Sequence, residues 1–303
     1  MDENWWNFNL QKLILIYKNQ KMETISKQIS VLLILLSISL SANCQSIDLS
    51  KYQLPFNKSG IILFHLNSDS LFSEKQNIAV AEIKKISLRK YKFAIGFSDS
   101  ALIKTSRFGE DANAVVSLNG GFFDVKKGGS VAYLESNGKV IARNRKAKDN
   151  WAKSDSLLNG AIVLDNSGRM IIEPAKNESY YERSNHEKSV LVSGPILLVN
   201  GHMSSLENSD FVNKRHPRSC LCETADKNIL FIAIDGRSEV ASGMNLKETQ
   251  QFLLRLNCRN AINLDGGGST SLWVNDGNEK RILNKPSDKT GERPVANVIL
   301  ITE

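Results

Sequence analysis

The stretch "NLKETQQFLLRLNCRNAINLDGGGST" (245–270) joins a helix signal to a strand signal and ends in one carboxylate beside three glycines. Asn245 is a helix cap, and Glu248 three residues on completes a capping box. Leu246, Thr249, Phe252, Leu253 and Leu256 recur at helical spacing, so the pattern predicts a helix over 245–258 with one buried stripe. "AINL" (261–264) then reads as a short buried strand. This unit brings Asp265 to a strand's carboxyl end, where open sheets with parallel neighbours place ligands. A tight hairpin needs one or two glycines, whereas Gly266, Gly267 and Gly268 are consecutive. Stacked glycines cost conformational entropy but admit a ligand close to backbone amides. Ser269 and Thr270 add hydroxyl donors.

Two further strand exits share the design, "VVSLNGGFFD" (115–124) and "FIAIDGR" (231–237). Each ends an apolar run with Asn or Asp and then glycine. A lone Asp-Gly is ordinarily a turn, as at 276–277. What exceeds that reading is the surplus of glycine at 266–268. The segment "KRHPRSCLC" (214–222) adds Arg218 at a strand entrance, where a planar guanidinium suits bidentate phosphate binding. His216 is an acid–base candidate on the same segment. "GERPVANVILI" (291–301) places Arg293 before Pro294 and a closing strand.

Short β-like runs dominate the remainder: 93–97, 114–118, 130–135, 161–165, 170–173, 196–199, 229–235 and 297–302. "ESNGKV" and "LDNSGRM" are hairpin signals. The expected class is α+β, a mixed β-sheet core with a few packing helices in one main domain. Its boundaries are placed at 111–303, after a strand-rich appendage over 45–110 that includes the lysine-rich, solvated "EIKKISLRKYK" (82–92).

The first 44 residues read as processing. "ISVLLILLSISL" (29–40) follows Lys27 and precedes "SANCQS", as in a signal peptide, and falls short of the roughly 18 apolar residues of a membrane span. Met22 fits the true start, with 1–21 an over-extended reading frame. The expectation is an exported protein without a membrane span. A lipid anchor at Cys44 and ordinary cleavage leaving Gln45 first both remain open. Lys and Arg number 39 against 32 Asp and Glu, a net charge of +7 with no basic block, which argues against a nucleic-acid partner. Cys220 and Cys222 would share one strand face, which suits neither a redox pair nor a zinc knuckle. They read as small core residues, with a bridge from either to Cys258 left open.

"NGGFF" (119–123), "HPRS" (216–219), "DGR" (235–237), "LDGGGST" (264–270) and "RPVANVI" (293–299) together resemble, in order, the phosphodiester glycosidase family over about residues 111–302. The chain departs from the family's pattern after Arg218, reading Ser219, Cys220, Leu221, Cys222 where Thr, a small residue, an aliphatic one and Gly are usual. The resemblance implies hydrolysis of a sugar-1-phosphodiester of the N-acetylglucosamine type. The expected setting is envelope, dietary or exopolysaccharide glycans.

A phosphate monoester is already a weak base, so leaving-group protonation matters less than in ordinary glycosides. Arg218 and Arg237, with Arg293, suit the phosphate charge. Asp265, Asp235 and Asp124 are candidates to stabilise the sugar cation, activate water or act as nucleophile. Asn119, His216, Ser219, Ser269 and Thr270 are orienting candidates, and Gly120, Gly121 and Gly266 to Gly268 admit the ligand. No cofactor is expected; calcium or another divalent cation is the alternative for loops rich in Asn and Asp oxygens. Two rival readings are a non-catalytic glycan-binding module and a phosphodiesterase that breaks the P–O bond.

Overall fold

In a computed structural model, residues 21–22, 46–67 and 71–303 are described. The apolar run 29–40 and Cys44 lie outside them. Among the described residues no helix is long and apolar enough to cross a membrane.

Three sheets and a few short helices make an α+β architecture. The largest sheet has eight strands in the order β1 (Gln53–Leu54), β2 (Ile61–Leu66), β3 (Ile78–Ile83), β14 (Ile229–Ile234), β13 (Arg218–Thr224), β15 (Cys258–Asn263), β11 (Ile196–Val199) and β12 (His202–Met203). A second runs β7 (Lys139–Ala142), β6 (Leu134–Ser136), β10 (Glu187–Ser193), β8 (Gly160–Asp165) and β9 (Met170–Pro174). The third runs β17 (Lys280–Ile282), β16 (Leu272–Asn275), β5 (Ala114–Asn119), β18 (Asn297–Thr302) and β4 (Lys92–Phe97).

Side-chain alternation on the large sheet explains the layering. Leu63, Ala81, Phe231 and Ile262 point to one face, into a core shared with Val116, Leu118 and Ile299 of the third sheet and Ile162 and Leu191 of the second. Phe64, Val80, Ile232 and Cys220 point to the other face, where Leu246, Phe252, Leu253 and Leu256 cover them. Those four lie on or beside the helix Leu246–Arg255, whose capping box of Asn245 and Glu248 forms as the sequence predicts. The helix stops short of Cys258 because Asn257 adopts φ 61° and turns the chain into β15.

Two expectations are corrected here. Residues 45–110 are no appendage: β3 pairs along its length with β14, and β4 with β18, so residues 46–303 form one unit. "IAVAEI" (78–83) is buried at every position, as a central strand must be. The neighbours of β15 are also antiparallel, not parallel. β14 and β15 do run the same way, with β13 antiparallel between them. The exits of β14 and β15 and the entrance of β13 therefore fall at the same end of the sheet. The run 130–135 contributes only its last two residues to β6. Cys222 of β13 and Cys258 of β15 form a disulfide, while Cys220 stays a buried free thiol.

Candidate active site

At that end of the sheet, backbone pairing continues past the strands. Leu264 N–H donates to Ser219 O at 2.8 Å and Gly267 N–H to Pro217 O at 2.9 Å. The "HPRS" entrance and the "LDGGG" exit thus run side by side. A Cβ on Gly266 would lie 2.5 Å from Pro217 O, so the close approach requires that glycine, and Gly267 is favoured by its φ of +63°. Next to them opens a cleft of about 160 Å³ lined by Phe211, His216, Pro217, Arg218, Arg237, Asp265, Gly266 to Gly268 and Arg293.

Arg218 is 1% exposed. Its Nε donates to Met244 O at 3.0 Å and its Nη2 to Phe211 O and Lys214 O at 2.7 and 3.0 Å. Its guanidinium lies 4.9 Å from the Phe211 ring centre. No carboxylate pairs with it among the described residues, and burial, with Arg237 nearby, lowers its pKa to about 10. A buried cation held only by carbonyl dipoles and an aromatic face leaves charge for an incoming anion.

Arg237 sits beyond Asp235 and Gly236 with φ 60°, and its Nη2 is 3.1 Å from His216 Nδ1. Because arginine only donates, His216 accepts at Nδ1 and carries its proton on Nε2. Burial, then Arg218 and Arg237, lower the His216 pKa, which keeps the ring neutral. Arg293 completes the basic wall, tied to Asp288 at 2.7 Å and packed on Gly268.

Asp265 is the carboxylate of this cleft and is half-buried. Burial raises its pKa, offset in part by the Ser269 hydroxyl and, through space, by Lys153 and Arg293. Its backbone is fixed from the neighbouring sheet. Gly120 O accepts from Asp265 N at 3.0 Å, and Asn119 Nδ2 donates to Asp265 O at 2.6 Å.

Other candidates have different places. Asn119 Oδ1 accepts from Ser219 Oγ at 2.6 Å and from Ser271 N at 3.1 Å, so Asn119 and Ser219 brace the loop behind the cleft. A Cβ on Gly120 would strike Asn297, whose Oδ1 accepts from Gly121 N at 2.6 Å. Gly120 thus serves close packing against Asn297, while Gly121 packs near Leu191, Val192 O and Ser193. Ser269 and Thr270 are buried in the same loop. Asp235 is 3% exposed and does not line the cleft. Its oxygens accept from Asn77 Nδ2, Asn284 Nδ2 and Lys285 N at 2.5 to 3.1 Å. Burial still raises its pKa. Asp124 also lies elsewhere, accepting from Lys126 N, Lys127 N and Arg145 Nη1, and is held down to about 2, chiefly by the Lys127 amide.

The sequence reading missed Phe211, Lys153, Asn284, Asn77 and Asn297. Only Asn297 carried a visible signal, inside "RPVANVI". Three guanidinium groups around one carboxylate fit an anion; a hard cation takes several oxygen ligands, and the cleft does not supply them. Among the described residues no group of three or more His, Cys, Asp or Glu is placed to hold a metal.

The human N-acetylglucosamine-1-phosphodiester alpha-N-acetylglucosaminidase is 26% identical over 212 residues, 63% of this chain and 38% of that protein. The chain thus covers well under half the length of this relative. An uncharacterized SPbeta prophage-derived protein of Bacillus subtilis, YomE, is 34% identical over 91 residues, 30% of this chain and 13% of its own. In fold, the catalytic domain of the zebrafish N-acetylglucosamine-1-phosphodiester alpha-N-acetylglucosaminidase is similar at TM-score 0.61 and 21% identity, covering 82% of this chain and 84% of that one. A hypothetical protein from Synechocystis is similar at TM-score 0.58 and 17% identity, covering 80% and 62%. The sequence profile of the phosphodiester glycosidase family matches residues 112–302, and the chain belongs to that family.

Proposed function

We propose that this protein is an exported glycosidase that hydrolyses sugar-1-phosphodiesters of the N-acetylglucosamine-1-phosphodiester type, releasing the sugar and a phosphomonoester. One observation carries the reading: a buried arginine without an acidic partner among the described residues shares a cleft with a half-buried carboxylate. The two charges are complementary to the two halves of the bond being broken. Arg218 and Arg237 bind the phosphodiester oxygens and stabilise the departing phosphate. Asp265 faces the anomeric carbon, which gains positive charge as its C–O bond lengthens. The bond's electron pair leaves with phosphate, and water supplies the oxygen that bonds to the carbon. Asp265 acts there as the base or the nucleophile. Neutral His216 donates its Nε2–H to the leaving phosphate. The reaction needs no strong acid, in keeping with a cleft that has one carboxylate among its lining residues. The apolar run 29–40 supports export.

Hydrolysis in ¹⁸O-labelled water tests the chemistry. Label is expected in the released sugar. Label in the phosphate would point to P–O cleavage, and binding of a sugar-1-phosphodiester panel without any turnover would point to a glycan-binding module.

A further inference from the structure

A second concave site shares no lining residue with the cleft. It is a basin of about 420 Å³ lined by Asp124, Lys126, Lys127, Arg145, Lys148, Asp149, Asn150 and Trp151. Four cationic side chains face two carboxylates there. Asp124 is engaged by Arg145 and two backbone amides, and Asp149 accepts from Lys146 N at 2.9 Å, so the three lysines outnumber the one exposed carboxylate. The three lysines are exposed. Trp151 is 39% exposed and has φ 65°, a backbone region that a bulky residue adopts only when its surroundings enforce it. A turn closed by Ala152 N–H donating to Asp149 O at 3.3 Å spans Trp151, and Arg145 Nη1 donates to Asn150 O at 2.7 Å. A large aromatic face is thus displayed among ammonium groups at a strained position.

Two chain segments connect the basin to the cleft. Lys153 acts on Asp265 through space and stands 5.0 Å over the Phe122 ring. Phe122 meets Phe211, a wall of the cleft, with ring centres 5.9 Å apart. Asp124 lies two residues beyond Phe122, and Trp151 two residues before Lys153. Two residues span at most about 7 Å. Asp124 and Trp151 are thus each one such short step from a side chain, Phe122 or Lys153, that bears on the cleft.

We infer that this basin binds an anionic saccharide unit of an extended substrate, Trp151 stacking on the sugar ring while Lys126, Lys127 and Lys148 meet its negative group. The role rests on the sugar-1-phosphodiester reading, because that reading puts the scissile bond beside Asp265; the binding rests on the basin's own residues. The preferred substrate is therefore a charged glycan, with carboxylate or phosphate as the two sources of charge.

Direct binding to the whole protein tests this without turnover, so failure of the glycosidase reading leaves the test intact. The probes are an oligogalacturonate, a phosphorylated oligosaccharide of equal length and the neutral oligosaccharide, measured by calorimetry and by tryptophan fluorescence. An anionic probe is expected to bind at least about tenfold more tightly than the neutral one, and more weakly as salt rises. The arm that binds names the charge. The combined variant K126A/K127A/K148A is expected to weaken that probe about tenfold. W151F should retain binding but lose the fluorescence change, and W151A should lose both. Equal binding of the neutral probe, no anionic binding, or anionic affinity untouched by the lysine changes overturns the inference. K148E alone gives the same reading should the combined variant not fold.

Discussion

Asp235 and Asp265 make an instructive pair. Each follows an apolar strand of the same sheet, each precedes glycine, and β14 and β15 run in the same direction two positions apart. Burial raises the pKa of both. Yet Asp235 is enclosed by Asn77, Asn284 and the Lys285 amide, while Asp265 stands half-buried in the cleft with its backbone, not its carboxylate, held by Asn119 and Gly120. A carboxylate whose lone pairs are filled by protein donors organises structure. One left open, beside a cation that no carboxylate pairs with among the described residues, is available to a substrate.

The sharpest way to break this contrast is to neutralise each acid. Asp265→Asn is expected to lower kcat about 10³-fold on a sugar-1-phosphodiester, with little change in Tm. Asp235→Ala should do the reverse. It strands buried amide donors and should cost about 2–4 kcal/mol in denaturant unfolding, while kcat of the folded fraction changes little. Arg218→Met comes next, with an expected loss of about 10²-fold in kcat/KM that Arg218→Lys restores only in part. Asn119→Ala tests the brace behind Asp265: kcat should fall about tenfold with KM nearly unchanged, because a displaced loop misplaces the carboxylate.

Two pH responses are smaller and opposite in sign. With its pKa raised, Asp265 protonates on acidification earlier than an ordinary aspartate, so the acid limb of kcat should lie above pH 3.8 and vanish in Asp265→Asn. Asp124 is shifted down, from 3.8 to about 2. It therefore stabilises the fold above its unfolded value and loses that contribution as pH falls toward 2. Asp124→Asn should flatten acid unfolding over that window, read by circular dichroism.

The same contrast shows what was legible in the sequence. The helix and its capping box were, because Asn245, Glu248 and the leucine stripe are local signals. The convergence of His216, Arg218, Arg237, Asp265, the three glycines and Arg293 was legible through their shared motifs. The separation of Asp235 from Asp265 was not. The donor that satisfies Asp235 from β3's approach, Asn77, is 158 residues away in sequence. Asp124 looked like a third strand-exit acid because the turn it caps is formed by amides that follow it. The strands before residue 111 were missed as core because "IAVAEI" is too short to distinguish from a surface run until its partner strand is known.

The disulfide between Cys222 and Cys258 acquires a meaning from these positions. It joins β13 to β15, the strand that begins at Arg218 and the strand that leads to Asp265. Antiparallel strands can slip only in steps of two residues without turning their apolar side chains outward. One such step moves Arg218 by about 7 Å relative to Asp265. A covalent bond at the far end of the two strands is thus a vernier stop. It sets the spacing of the cation and the carboxylate from outside the cleft.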